Sequence, residues 1–139
     1  MPADPLAVKK PQPARILLAD DASGMRTYLR LVLESAGFAC TEVSDGGDAF
    51  DQVLGNTFDL VITDLEMPGM DGFQLLSAIS LLPPARRPPV IVVSALLDET
   101  LAERRPELRS AAALLAKPVQ PADLLKSVSK VIGQRAASR

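Results

Sequence analysis

Apolar residues in this chain follow two alternating rhythms. The runs Ile16-Leu17-Leu18-Ala19, Leu60-Val61-Ile62-Thr63 and Val90-Ile91-Val92-Val93-Ser94 are short and almost continuously apolar. That pattern predicts strands buried on both faces. Between them the spacing becomes helical. Met25, Leu29, Val32, Leu33 and Ala36 recur before a stop at Gly37, and Ala49, Phe50, Val53 and Leu54 lie between Asp45 and Gly55. Leu124, Val128, Val131 and Ile132 form a third such face after Pro121.

Local signals set the ends of these elements. Asp45 predicts a helix cap, and Asp71 with Gln74 predicts a capping box opening a helix through Ile79. Pro121 suits the first turn of the last helix. Phe38 to Val43 reads as a second strand and Ala113 to Ala116 as a weak last one. A proline-rich loop spans 83–89. A helix is expected from about Glu99 to Arg109, with Pro106 inside it to kink or end it. Five strands alternating with five helices predict an α/β fold, a parallel sheet with helices on both faces. Residues 1–13, with four prolines, read as a flexible leader. Residues 14–133 read as one domain and 134–139 as a short tail.

The polar residues interrupting this pattern fall at strand ends. The first strand runs into Asp20-Asp21, the third into Asp64, the fourth into Ser94 and the fifth into Lys117-Pro118. A parallel sheet brings such ends to one rim, where open α/β sheets bind ligands. Three carboxylates there repel one another, and a hard divalent cation such as Mg²⁺ offsets the repulsion. Lys117 adds a second positive charge and Ser94 a hydroxyl donor. An acidic pocket of this kind suits phosphoryl transfer, in which catalysis is mostly positioning and charge neutralisation. Each residue also has an ordinary explanation. Asp20 and Asp21 could cap a helix, Asp64 could be a turn residue before Met67-Pro68-Gly69, Ser94 a strand-end hydroxyl and Lys117 a solvated charge. Five such placements on one rim together favour a site.

Composition narrows the chemistry. There is no histidine, which excludes a histidine acid–base pair, a histidine triad, a histidine-ligated zinc and a phosphohistidine on this chain. Cys40, the single cysteine, excludes an internal disulfide and suits a reducing compartment, so a cytoplasmic location is expected. With 15 basic and 17 acidic residues in no long block, the net charge of −2 argues against nucleic-acid binding. Four phenylalanines, one tyrosine and no tryptophan leave little for base stacking. No apolar run approaches the ~20 residues of a membrane helix, and Met1-Pro2-Ala3-Asp4 does not open a secretory signal. The hydrophobic fraction of 47% is enough for a core without staples.

From about Arg15 to Gly133 the chain resembles the receiver domains of response regulators in two-component systems. The resemblance rests on Leu18-Ala19-Asp20-Asp21 with Met25-Arg26, on the run from Asp64 through Met67-Pro68-Gly69-Met70-Asp71-Gly72, on Ser94-Ala95 and on Lys117-Pro118. The segment from Asp20 to Phe38 is similar to the chemotaxis type of single-domain receiver. The resemblance implies a flavodoxin-like sheet of order 2-1-3-4-5. It implies that Asp64 is the phosphoacceptor, taking a phosphoryl group from a histidine kinase or phosphotransfer protein. Asp21, Asp64 and the backbone carbonyl of Glu66 would hold Mg²⁺, with Asp20 helping directly or through water. Lys117 would pair with a phosphoryl oxygen, its bond to Pro118 would be cis, and Ser94 would move to hydrogen-bond the phosphoryl group. Glu66 and Leu96 would flank the path of a hydrolytic water.

The chain departs from the family pattern at its switch. Leu114 stands where relatives carry an aromatic residue, after Ser110-Ala111-Ala112-Ala113 and a helix containing Pro106. The expected output is a contact with an unidentified protein, through the face of the fourth helix, fifth strand and fifth helix. No output domain is expected, and the only catalysis expected is of the chain's own phosphorylation and dephosphorylation. Three rivals compete. One is a receiver-fold adaptor acting irrespective of phosphorylation. Another is a phosphatase of the haloacid-dehalogenase type, for which Glu66 sits two after Asp64 but Asp20-Asp21 is unexplained. The third is a flavin-binding flavodoxin-like protein, but the loop after strand one in this chain lacks the Ser/Thr-rich phosphate cradle.

Overall fold

The computed structural model describes residues 12–137; the expected leader lies outside them except for residues 12 and 13. In chain order the elements are β1 (Arg15–Ala19), α1 (Ser23–Ser35), β2 (Ala39–Val43), α2 (Gly46–Gly55), β3 (Leu60–Thr63), α3 (Gly72–Ser80), β4 (Val90–Ser94), α4 (Leu101–Arg104), β5 (Ala113–Ala116) and α5 (Pro121–Ala137). All strand pairs are parallel, in the order β2-β1-β3-β4-β5. This is the fold expected from the sequence.

The continuous apolar runs follow from the pleat. Successive side chains point to opposite faces, and here both faces are covered. Leu17, Val61 and Val92 pack with Ala49, Val53, Leu75, Leu76 and Ile79 of α2 and α3. Ile16, Leu18, Leu60, Ile62, Ile91 and Val93 pack with Leu29, Leu33, Leu124 and Val128 of α1 and α5. The edge strands β2 and β5 are only partly buried, which is why their sequence signals are weak.

The helix ends also follow local chemistry. Asp45 accepts the Asp48 N–H at 2.7 Å, and Asp71 and Gln74 exchange bonds of 2.8 and 2.9 Å in the expected capping box. At the end of α1 the N–H groups of Gly37 and Phe38 reach Glu34 and Leu33 carbonyls, with Gly37 at φ +94°. That is a Schellman stop, which favours glycine. Helix α5 runs past Gly133 to Ala137.

The helix expected over Glu99 to Arg109 is replaced by something shorter. Helix α4 covers four residues, and Pro106–Ser110 form a 3₁₀ turn. Pro106 lacks an N–H and its ring clashes with the turn before it, so Arg105 is driven to φ −129°, ψ 83°. Asp98 initiates α4, accepting the Thr100 and Leu101 N–H groups at 2.9 Å each. Hydrogen bonds, that of the Thr100 N–H foremost, hold the Asp98 carboxyl below its usual range. The segment is nonetheless anchored. Leu101 and Leu108 are buried, and the Arg105 guanidinium lies 3.4 Å from the Phe73 ring centroid.

One close backbone approach joins the sheet to α3. A Cβ on Gly72 would strike the Asp64 carbonyl oxygen and lie 2.7 Å from the Leu65 Cα, while the Gly72 N–H donates to the Leu65 carbonyl at 2.9 Å. Gly72→Ala should therefore destabilise the fold by about 1–3 kcal/mol through overpacking. Gly24→Ala, in α1 with nothing within 4 Å of the added carbon, should be neutral or stabilising. Urea unfolding of the two variants checks this; equal effects would mean that the contact at Gly72 relaxes freely.

Candidate functional site

Parallel register carries the expected polar residues to one end of the sheet. Asp20 and Asp21 follow β1, Asp64 follows β3, Ser94 ends β4 and Lys117 follows β5. The Lys117 Nζ donates to Asp20 Oδ2 and Asp64 Oδ2, both at 2.9 Å. The remaining oxygens of these two carboxylates are held by backbone. Asp20 Oδ1 accepts the Ala22 N–H at 2.9 Å, and Asp64 Oδ1 accepts the Leu65 N–H at 2.6 Å. Asp20 and Asp64 are buried at 2% and 8% exposure, whereas Asp21 is exposed. Among the described residues Asp21 has no hydrogen-bond or ion-pair partner. One oxygen from each of the three aspartates lies within 4.8 Å of the others.

Three carboxylates against one ammonium leave the cluster short of positive charge. Its all-oxygen donor set fits a hard cation such as Mg²⁺, which is held by few carboxylates and keeps much of its water. Burial works to lower the Lys117 pKa, but the hydrogen bonds and charges of Asp20 and Asp64 outweigh it, and the net shift is upward. A raised lysine pKa gives stability that is fully present below the unfolded value and is lost only as pH rises through the folded one. Lys117 is therefore charged at neutral pH.

The other expected residues sit on or just after β3, β4 and β5. Ser94 is fully buried, and its Oγ accepts the Leu96 N–H at 3.1 Å. Glu66 is exposed, two residues beyond Asp64. The Lys117–Pro118 bond is cis. Leu96 and Leu114 are each 40% exposed. Leu114, level with Val92 in the β4–β5 register, lines a groove of about 410 Å³ with Pro118, Lys126 and Lys130. Cys40 lies away from the cluster on β2, and burial, reinforced by Glu34, pushes its thiol up to about 11. It is no ready nucleophile.

Several supporting roles were not legible in the sequence. Arg26 Nη1 donates to the Asp20 carbonyl at 2.7 Å, while its Nε pairs with Glu42 at 3.3 Å. The buried Thr63 hydroxyl donates to the Asp64 carbonyl at 2.7 Å. Tyr28 donates to the Val119 carbonyl at 2.7 Å, tying α1 to the loop after Lys117. A Cβ on Gly46 would strike the Met70 carbonyl, so glycine lets α2 approach the loop after Asp64. Thr63 alone left a trace in the sequence, as a hydroxyl in an otherwise aliphatic strand. The others act on backbone carbonyls, which carry no residue-specific signal.

Comparison with known proteins agrees with this geometry. The chain is 38% identical over 82 residues to the gliding motility regulatory protein of Myxococcus xanthus. That match covers 59% of this chain and 11% of the much longer relative. It is 30% identical over 118 residues to the response regulator receiver protein CpdR of Brucella abortus, covering 85% of this chain and 96% of that one. Among solved structures it superposes on the chemotaxis response regulator CheY4 of Vibrio cholerae with a TM-score of 0.76 at 27% identity, over 86% of this chain and 98% of that one. The family model for the response regulator receiver domain matches residues 16–129. With its sheet order, its acidic rim and this match in accord, the chain belongs to the response regulator receiver domain family.

Proposed function

We propose that Asp64 accepts a phosphoryl group from the phosphohistidine of a kinase or phosphotransfer protein, and that the modified chain signals by protein contact. The observation that carries this reading is a buried Asp64 whose Oδ2 meets Lys117 at 2.9 Å beside the carboxylates of Asp20 and Asp21. Leu65 holds Oδ1, so Oδ2 is the nucleophilic oxygen. It forms a bond to phosphorus as the phosphorus–nitrogen bond breaks. The electron pair goes to the imidazole nitrogen, which takes up a proton, and Asp64 becomes an acyl phosphate. Lys117 then turns its charge from Oδ2 to a phosphoryl oxygen. Among the described residues the Ser94 hydroxyl accepts from Leu96 and donates to none, which leaves its proton for the phosphoryl group.

Asp20, Asp21, Asp64 and the Glu66 backbone carbonyl would hold Mg²⁺, which supplies neutralising charge to the phosphoryl oxygens. Leu96 is apolar, cannot orient a water, and shields the acyl phosphate from hydrolysis. Leu114 takes the switch position. A second reading, an adaptor acting irrespective of phosphorylation, is favoured by one observation. Leu114 is already 40% exposed in a groove it shares with Pro118, Lys126 and Lys130, so this face is open without modification.

Acetyl phosphate with Mg²⁺ should add one phosphoryl group to the wild type and none to Asp64→Asn, read by intact-protein mass spectrometry. Equal labelling of both would sink the assignment of Asp64; no labelling of the wild type would leave the adaptor as the better reading.

Asp21→Asn should raise the melting temperature in EDTA by roughly 3 °C, because it removes repulsion from a group that has no other partner among the described residues. The same variant should lose the gain that wild type shows on adding Mg²⁺. Asp20→Ala should instead lower the melting temperature, since it deprives Lys117 and the Ala22 N–H of a partner. Differential scanning calorimetry with and without Mg²⁺ separates the two; a fall for Asp21→Asn in EDTA would make that residue structural.

The phosphoryl group on Asp64 should last for minutes, and Leu96→Gln should shorten its life while Leu96→Ile leaves it unchanged. Decay of radiolabelled phosphoprotein after removal of donor measures this. Loss within seconds in the wild type would show that Leu96 does not control water access.

A further inference from the structure

Two bonds join the same two parts of the chain beside the acidic rim. Asp20 Oδ2 accepts from the Lys117 Nζ at 2.9 Å, and within α1 the Tyr28 hydroxyl donates to the Val119 carbonyl at 2.7 Å. Among the described residues no other hydrogen bond joins α1 to the segment 117–120. Tyr28 is the only tyrosine of the chain, and its ring packs half-buried in the same core as Val119. A phenylalanine would fill that space, so the hydroxyl adds only the bond. Buried tyrosine hydroxyls ordinarily find a partner. What distinguishes this one is the partner's place, two residues beyond the lysine that contacts both buried carboxylates.

A lysine ammonium is a poor anchor for itself. It rides on a flexible four-carbon stem, so its range is set by where the backbone starts that stem. The Lys117 N–H donates to the Ser94 carbonyl at 3.0 Å, which holds the segment on the β4 side. The Gln120 carbonyl accepts the Leu124 N–H at 3.0 Å as α5 begins. Between these points Tyr28 holds the Val119 carbonyl. The same helix carries Arg26, whose Nη1 grips the Asp20 carbonyl at 2.7 Å. Helix α1 thus ties the backbone of Asp20 to the segment of Lys117.

We infer that Tyr28 is a positioning residue for Lys117 and so sets the rate of phosphoryl transfer. The second half of that inference rests on Asp64 being the phosphoacceptor. Before transfer Lys117 is held by two carboxylates as well as by its backbone. As its charge turns to a phosphoryl oxygen, the bond to Asp64 Oδ2 is given up, and placement of the ammonium falls to the backbone. The Tyr28 bond then matters more than in the resting state. Its loss acts on the rate of transfer more than on the binding of Mg²⁺, whose carboxylates Tyr28 does not touch.

The test is Tyr28→Phe in the full chain, which keeps the ring and deletes the hydroxyl. Labelling by acetyl phosphate should reach a maximal rate about fivefold below wild type, with the half-saturating Mg²⁺ concentration unchanged. Independently of labelling, ¹⁵N NMR without Mg²⁺ should show several-fold faster proton exchange at the Lys117 ammonium. Amides outside α1 and 117–120 should stay unmoved, reporting an intact fold. A maximal rate equal to wild type, or a rise in the Mg²⁺ requirement to match the loss of rate, would make Tyr28 a packing residue and overturn the inference. If the wild type itself takes no label, the phosphoacceptor reading fails, and the exchange measurement alone decides whether Tyr28 positions Lys117. Unchanged ammonium exchange overturns that positioning in either case.

Discussion

Lys117 stands between two buried carboxylates, and most of what surrounds the acidic rim serves to keep it there. Its Nζ reaches Asp20 and Asp64 at 2.9 Å each, with side-chain exposures of 20%, 3% and 10% for the three residues. Removing ions from water to this degree costs several kcal/mol per ion, and mutual attraction recovers it only when geometry and extra hydrogen bonds are good. Here they are good, because backbone N–H groups of Ala22 and Leu65 occupy the second oxygens. Even so, well-packed apolar side chains would serve the fold as well or better. A charged cluster kept at this expense is better explained by chemistry than by stability.

The backbone around that cluster is constrained from several directions. Arg26 and Thr63 hold the carbonyls of Asp20 and Asp64. Gly72 lets α3 start against the backbone of Asp64 and Leu65. Tyr28 fixes the loop that follows Lys117. These contacts reach the two strand ends and the lysine loop independently, so the carboxylates are set by the frame rather than by one another. That explains how Asp21, exposed and without a partner among the described residues, can remain within 4.8 Å of two like charges.

The parts of this arrangement legible in the sequence are those with a side-chain signature. Central strands covered on both faces must be apolar at every position, so β1, β3 and β4 stood out, and the polar residues ending them stood out in turn. The caps at Asp45 and Asp71 and the stop at Gly37 were legible because their bonds need those residue types. Helix α4 was overextended, since the spacing of Leu101 and Leu108 fits a helix as well as it fits a turn broken at Pro106. Arg26 and Tyr28 were invisible as supports because their partners are carbonyl oxygens far away in sequence. Gly72 was read as part of a motif, and its close approach to Asp64 exists only in three dimensions.

The break at Pro106 bears on how a change at Asp64 could travel. On the proposed mechanism a phosphoryl group draws the Ser94 hydroxyl toward it, and the Leu96 N–H, bonded to that oxygen at 3.1 Å, must follow or lose its partner. The loop from Ser94 next meets Asp98, whose carboxylate caps α4 through Thr100 and Leu101. A four-residue helix has little internal cooperativity to resist such a pull. Beyond it the chain is anchored again by Arg105 over Phe73 and by buried Leu108. The adjustable stretch is thus bounded by Ser94 and Arg105, and Leu114 lies outside it on β5. A leucine there has no hydroxyl to exchange between partners, so the loop and the short helix are better placed than β5 to carry the change.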